Sequence, residues 1–412
     1  MRINNLIVFA IFLCIAACKN KSDETSHYQI GGMWRGVLET PGGELPFNFS
    51  FSENNDVFDL MTIMNGEERI EIKEIEIAGD SIFIQMPVFD SEFRLKIDSD
   101  ALHGFWFDHA RPGNYKIPFT AKRNVSYRFT QGTDTVLADV TGNWKVTFSF
   151  SNQDSSDAIG IFSQENNRLT GTFRTPTGDY RFLAGEVQAN NLYLSCFDGA
   201  HAFLFKAKIL DDGTIIGDFW SGKHWHEDWL AVRNDSFELP DPDTLTYLRE
   251  GYDKFDFSFP DLNENIVSFS DEKYKKKVAI IQIMGSWCPN CMDETKFLSN
   301  YYNELGGEDL NIIALAFEKA IVFENAKYNL ERLIESFDIR YDILLAGSNS
   351  KSEAATKLPM LNHVLSYPTT IFIDKKGKVR RIHTGFDGPA TGQLFKDFKR
   401  EFITFVDELL DE

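Results

Sequence analysis

Two of the five cysteines stand three residues apart in Trp287-Cys288-Pro289-Asn290-Cys291. Two sulfurs at that spacing can close a disulfide and open it again if the backbone holds them on one side. The flanking residues predict such a backbone. Val278–Met284 is a continuous apolar run suited to a strand buried on both faces, and 291–305 carries a helical pattern. Cys288 then falls where a strand turns into a helix, so its sulfur faces free N–H groups at a positive dipole end, which favours thiolate. Pro289 suits the first helical turn, where no N–H is needed. Cys291, on the same helix face, is within disulfide reach and less exposed. Cys288 is assigned as nucleophile and Cys291 as the resolving thiol that cleaves a mixed disulfide with substrate.

The elements that must position this pair follow in order. A second apolar strand is predicted at 312–317, a helix around 325–337, a strand at 341–345, a hairpin of 369–374 and 378–384, and an amphipathic helix over 392–411. Strands alternating with helices predict a central sheet covered on both sides. Phe257-Ser258-Phe259-Pro260-Asp261-Leu262-Asn263 and Ile266-Val267-Ser268-Phe269-Ser270 precede the redox motif, and Ser366-Tyr367-Pro368-Thr369-Thr370 and the stretch 385–392 follow it. On these motifs residues 253–412 resemble the thioredoxin superfamily, and within it the TlpA-like extracytoplasmic branch.

The resemblance implies an active-site loop of Trp287, Pro289 and Asn290. It also implies a cis Pro368 set against the cysteines, which leaves the Tyr367 backbone to pair with an extended substrate peptide. It further implies protein thiol or disulfide substrates, reduction with electrons from a membrane-associated donor, and no cofactor beyond the Cys288–Cys291 pair. One departure concerns the proton. Gln282 stands six residues before Cys288, where thioredoxins often carry a buried Asp, and Gln cannot act as a base. Glu318, near the end of the following strand, is the substitute acid that this sequence offers. Gly285 occupies the Thr position of a peroxidatic Thr-x-x-Cys, which argues against a peroxiredoxin. No second ligand pair accompanies the cysteines, so no metal is expected.

The remaining cysteines read differently. Arg2 precedes an apolar run, Leu6 to Leu13, that ends in Ile15-Ala16-Ala17-Cys18. A charged start, a short apolar core and small residues before a break predict a secretory signal over 1–17, too short to span a membrane. The sequence around Cys18 resembles a bacterial lipobox, which implies lipid on its sulfur, a tether over 18–30 and a place in the cell envelope, on the periplasmic side or the cell surface. Cys196 lies in a predicted strand and reads as a buried small hydrophobe.

Between tether and redox segment the chain repeats. Gly32-Met33-Trp34 matches Gly142-Asn143-Trp144, Ser81 to Ile84 matches Asn191 to Leu194, and Ala121 to Asn124 matches Ala231 to Asn234, all at one offset. Gly104-Phe105-Trp106 parallels Gly217-Asp218-Phe219-Trp220. Each copy, 31–124 and 125–234, predicts about eight sequential strands, the first at 33–40, 44–53, 57–65, 68–78, 81–89, 91–98, 102–109 and 115–123. Antiparallel meanders of that size can close into barrels. A Gly-x-Trp opening and a closing Arg resemble the calycin pattern, which implies Arg123 across Trp34 and Arg233 across Trp144. The 37 Phe residues favour interiors filled by side chains. His224-Trp225-His226 would put two imidazoles on one strand face, more simply polar surface than a metal site. A 235–252 linker rich in Pro and Asp completes a multidomain chain, an all-β repeat pair followed by an α/β thioredoxin-like fold. If that last domain were only a scaffold, the barrels would instead make this a ligand- or partner-binding lipoprotein.

Net charge is −20, so no nucleic-acid partner is expected, because phosphate needs basic surface. Residues 1–252 hold 22 basic and 36 acidic residues, a difference of −14, so most of the acidity lies in the repeat half.

Overall fold

A computed structural model of the chain describes residues 30–54, 57–132, 138–320 and 322–412. The expected signal, tether and lipid-bearing Cys18 lie outside the described residues up to Ile30.

Each repeat closes on its tryptophan. Trp34 and Trp144 are buried, and each indole donates to the carbonyl four residues earlier, Trp34 Nε1 to Ile30 O at 2.7 Å and Trp144 Nε1 to Val140 O at 2.9 Å. Each stands opposite the expected arginine in register, Trp34 beside Arg123 and Trp144 beside Arg233. Arg233 does lie over its ring, 4.6 Å from the centroid. Arg123 instead turns its Nε to Gly31 O at 2.8 Å.

The second copy is a closed barrel. Its eight main strands pair in chain order, Gly142–Phe148 meets the last strand Trp225–Arg233, and Ser156–Glu165 pairs with both Gly142–Phe148 and Arg168–Thr175. The first copy follows the same meander, from Gly32–Thr40 round to Lys116–Arg123, with nine strands instead of eight. The expected 68–78 strand breaks at Lys73-Glu74 into Glu68–Ile72 and Ile75–Ala78, which pair with opposite neighbours and form the two edges of the sheet. The parallel between Trp106 and Trp220 also shifts by one position. Trp106 and Phe219 are the buried rings, because Trp220 stands on the opposite side of its strand from Phe219.

Aromatic rings fill both interiors. Phe47, Phe49, Phe93 and Phe119 cluster in the first barrel, and Phe148, Phe173, Phe205, Phe219 and Trp229 in the second. Small barrels either fill with side chains or hold one small ligand, and the closed second copy and the barrel-like first are both filled. The two share material across one strand, Asn191–Phe197. Cys196 points into the second interior while Phe197 enters the first, stacked on Phe47 at 4.7 Å. The His224 and His226 rings take separate partners, Tyr115 Oη at 3.1 Å and Asp218 Oδ1 at 2.8 Å.

In the C-terminal domain the strand order is Asp342–Ser348, Leu310–Glu318, Val278–Met284, Thr369–Ile373, Val379–Thr384, the first two pairings parallel and the last two antiparallel. Every residue of the central strand Val278–Met284 is buried, as its apolar run requires under helices on both faces. The segment 235–252 links the domains as a pinned strap. It carries a short helix, Pro242–Leu245, Tyr247 N donates to Asn362 Oδ1 at 2.9 Å, and Arg249 N donates to Met360 O at 2.8 Å.

Candidate active site

The central strand ends one turn short of helix Pro289–Leu305, and Cys288 is the helix N-cap. Its backbone is extended (φ −101°, ψ 113°), and Sγ accepts from Cys291 N at 3.2 Å. Cys288 and Cys291 form a disulfide with Cα atoms 5.2 Å apart. Cys288 is 5% exposed and Cys291 0%, so the outer sulfur is the one a substrate can reach. The Tyr367–Pro368 bond is cis, and Tyr367 O lies 3.3 Å from Cys288 Sγ. Trp287 packs edge-on against the Tyr367 ring at 5.6 Å and donates from Nε1 to Phe317 O at 2.9 Å. Trp287, Pro289, Asn290, Tyr367 and Pro368 thus lie around the disulfide.

Two buried carboxyls flank the pair. Glu318 accepts from Ser286 N at 2.7 Å on Oε1 and from Ser286 Oγ at 2.6 Å on Oε2, gripping the turn just before Cys288. Burial pushes its carboxyl up, against those two hydrogen bonds. Glu294 was not anticipated. It lies one turn beyond Cys291 on the same helix, accepts from Gln282 Nε2 at 2.8 Å and from Thr370 Oγ1 at 2.7 Å, and is fully buried. Burial pushes it up to about 7, with the Thr370 and Gln282 bonds pulling the other way. Gln282, which cannot act as a base, therefore holds one that can. The signal was present: the buried positions of this helix include 291, 294, 295 and 298, and a Glu on such a stripe is out of pattern.

The second barrel reaches into the site. Strand Arg168–Thr175 turns through Pro176-Thr177 and pairs back over Gly178–Asp179. Ser366 Oγ donates to Thr177 O at 3.0 Å, Asn290 Nδ2 donates to Asp179 O at 3.0 Å, and Gly388 N donates to Asp179 Oδ2. Arg174 pairs with Asp387 at 2.5 Å. Arg181 then donates to Pro289 O at 3.1 Å and meets Glu68 at 2.6 Å and Asp293 at 2.9 Å. Its Nε is 3.2 Å from Asp198 Oδ2, an ionic contact without hydrogen-bond alignment. Burial, with Asp293 and Asp387 nearby, pushes Asp179 up to about 7, and burial pushes Asp293 up to about 6 against Arg181. Burial acts on Asp198 in the same sense, but His201 and Arg181 outweigh it and hold that carboxyl well below the usual range. No local pattern reveals this knot, because its members come from three distant stretches of chain.

Beside the redox loop a cleft of about 670 Å³ opens between Ser286, Trp287 and Pro289, which flank Cys288 in the chain, and the rims of both barrels, including Arg111 and His201. Lys319 stands at its wall with Nζ 4.8 Å from the Trp287 ring centroid. Burial, with Arg111 nearby, lowers its pKa.

Residues 251–382 match the AhpC/TSA family. The chain is 26% identical over 138 residues to Thioredoxin-like protein YneN of Bacillus subtilis (strain 168), covering 34% of this chain and 73% of that protein. It is 24% identical over 138 residues to Thiol-disulfide oxidoreductase ResA of the same strain, covering 34% and 69%. A solved structure, thiol-disulfide oxidoreductase from Bacteroides fragilis NCTC 9343, aligns at 21% identity over 36% of this chain and 99% of its own, with a TM-score of 0.26. The C-terminal part of the chain thus carries a thioredoxin-like fold and is similar to the AhpC/TSA family and to proteins named as thiol-disulfide oxidoreductases.

Proposed function

We propose that this chain is a lipid-anchored thiol–disulfide oxidoreductase of the cell envelope that reduces disulfides of polypeptide substrates. The carrying observation is the Cys288–Cys291 pair at a helix N-terminus, with Cys288 Sγ beside the carbonyl that precedes Pro368. In the reduced state the Cys288 thiolate attacks one sulfur of a substrate disulfide, forming a mixed disulfide and releasing the first substrate thiolate, which takes up a proton. The Cys291 thiolate then attacks Cys288 Sγ and releases the second substrate thiol. Two electrons have passed to the substrate and the Cys288–Cys291 disulfide is left; a dithiol donor at the membrane reduces it back to the dithiol and is itself oxidised to a disulfide.

The proton that leaves Cys291 goes to a buried carboxyl in this reading. Glu294 is the stronger candidate, since it shares the inward face of Cys291's own helix, while Glu318 holds the turn through Ser286. Rate–pH profiles separate them. Glu294→Gln is expected to remove the limb near pH 7 and Glu318→Gln to leave its midpoint in place; the reverse result returns the role to Glu318.

The function itself is tested by disulfide reduction with the full-length chain, using oxidised glutathione and insulin as substrates. Turnover of either, lost in Cys288→Ser, supports it, and a Cys291→Ala variant is expected to accumulate the mixed disulfide. No helix among the described residues is long and apolar enough to cross a membrane. Attachment through Cys18 predicts an acylated mature N-terminus by mass spectrometry, abolished in Cys18→Ser.

A further inference from the structure

A thioredoxin-like site offers a substrate two approaches to the outer sulfur, along the loop before the cis-proline and over the tryptophan side of the redox loop. Here one of the two is built over. The Pro176-Thr177 turn of the second barrel touches three walls of the site at once. Thr177 O accepts from Ser366 beside Tyr367, and Asp179, two residues on, accepts from Asn290 between the cysteines and from Gly388. At Gly385 the approach is backbone against backbone. A Cβ on Gly385 would lie 2.8 Å from Thr177 C, and one on Gly178 would lie 2.0 Å from Asn290 Nδ2 and 2.9 Å from Phe386 O. Gly178 also holds a φ of +128°, which other residues rarely adopt. The Arg174–Asp387 pair and the Asp179–Gly388 hydrogen bond fasten the turn on both flanks.

We propose that this turn is a built-in specificity element. It fills the place where an extended segment of a folded protein would pair with the Tyr367 backbone, and leaves the cleft over Trp287 as the substrate entrance. The inference rests on the redox function proposed above. That cleft, about 670 Å³, falls within the size range of small-ligand pockets, and both barrels form its rim. The substrate class that fits is a peptide-sized disulfide, one carried on a chain narrow enough to pass between the barrel rims and reach Trp287 and Pro289 on either side of Cys288. The disulfide of a folded protein is sterically refused until the turn lifts. Folded substrates then react in proportion to the fraction of molecules in which the turn is open.

The test compares two disulfides against the fully reduced, full-length chain, following the change in intrinsic tryptophan fluorescence in single turnovers. Oxidised glutathione serves as the narrow substrate and insulin as the folded one. Wild type is expected to favour glutathione strongly. Gly178→Val, whose side chain has no room against Asn290, should raise the insulin rate about tenfold while leaving the glutathione rate within about twofold, since opening the gate removes only the closed-state penalty. Arg174→Ala removes a half-exposed ion pair, and should act in the same direction with less effect on folding, which circular dichroism checks for both variants. Similar wild-type rates for both substrates, or an unchanged ratio in both folded variants, overturn the inference and leave the function standing. A wild-type chain that reduces neither substrate overturns the function and the inference with it.

Discussion

Glu294 carries a proton under conditions where an exposed glutamate would not. Its carboxyl is raised from 4.5 to about 7 by burial, so between those values the folded chain binds a proton that the unfolded chain has released. Stability contributed by this group is therefore complete below about pH 4.5 and is lost as pH rises through about 7. Urea unfolding of Glu294→Gln across that range is expected to show a flatter pH dependence than wild type, and an identical slope would remove Glu294 as its source. Asp179 and Asp293, raised to about 7 and about 6, add slopes of the same sign, so the variant flattens the curve without levelling it. The nucleophile was legible at this scale because strand, Pro and Cys spacing are all local. The acid was harder to find, because attention to the usual position, here Gln282, drew it away from a charged residue on a buried helix stripe.

Among the elements, the barrels were legible as a count of strands and illegible in how they close. Alternating side chains and turn residues mark strands one by one, but closure depends on pairings between distant strands that no local signal specifies. Hence the break at Lys73-Glu74 was missed, while the Trp34–Arg123 and Trp144–Arg233 register followed from the repeat. The aromatic filling makes a direct prediction. Phe173 is fully buried and packs against Phe148, Phe162, Phe205 and Trp229. Phe173→Ala is expected to cost about 3–5 kcal/mol of stability by urea unfolding, the range for a large ring deleted from a packed core. A loss under about 1 kcal/mol would mean a loosely packed interior able to collapse into the gap.

For the whole molecule, Arg181 is the tie between three bodies: Glu68 from the first barrel, Asp198 from the second, and Asp293 with Pro289 O from the redox helix. Arg181→Met leaves those carboxylates buried without their counter-charge, a loss expected at about 3–5 kcal/mol. Calorimetry should then show the redox domain melting apart from the barrels, whereas a single unchanged transition would mean that the tie contributes nothing to coupling. Nothing in the order of residues foretold this, since Glu68, Pro289 and Asp293 each lie more than a hundred positions from Arg181. The strand Asn191–Phe197 carries the same theme into ancestry. Two copies of one segment are visible in the sequence, yet a ring that belongs by descent to the second copy completes the interior of the first. The copies are no longer spare parts for each other: the second cannot be dropped or borrowed by another protein without leaving a hole in the first.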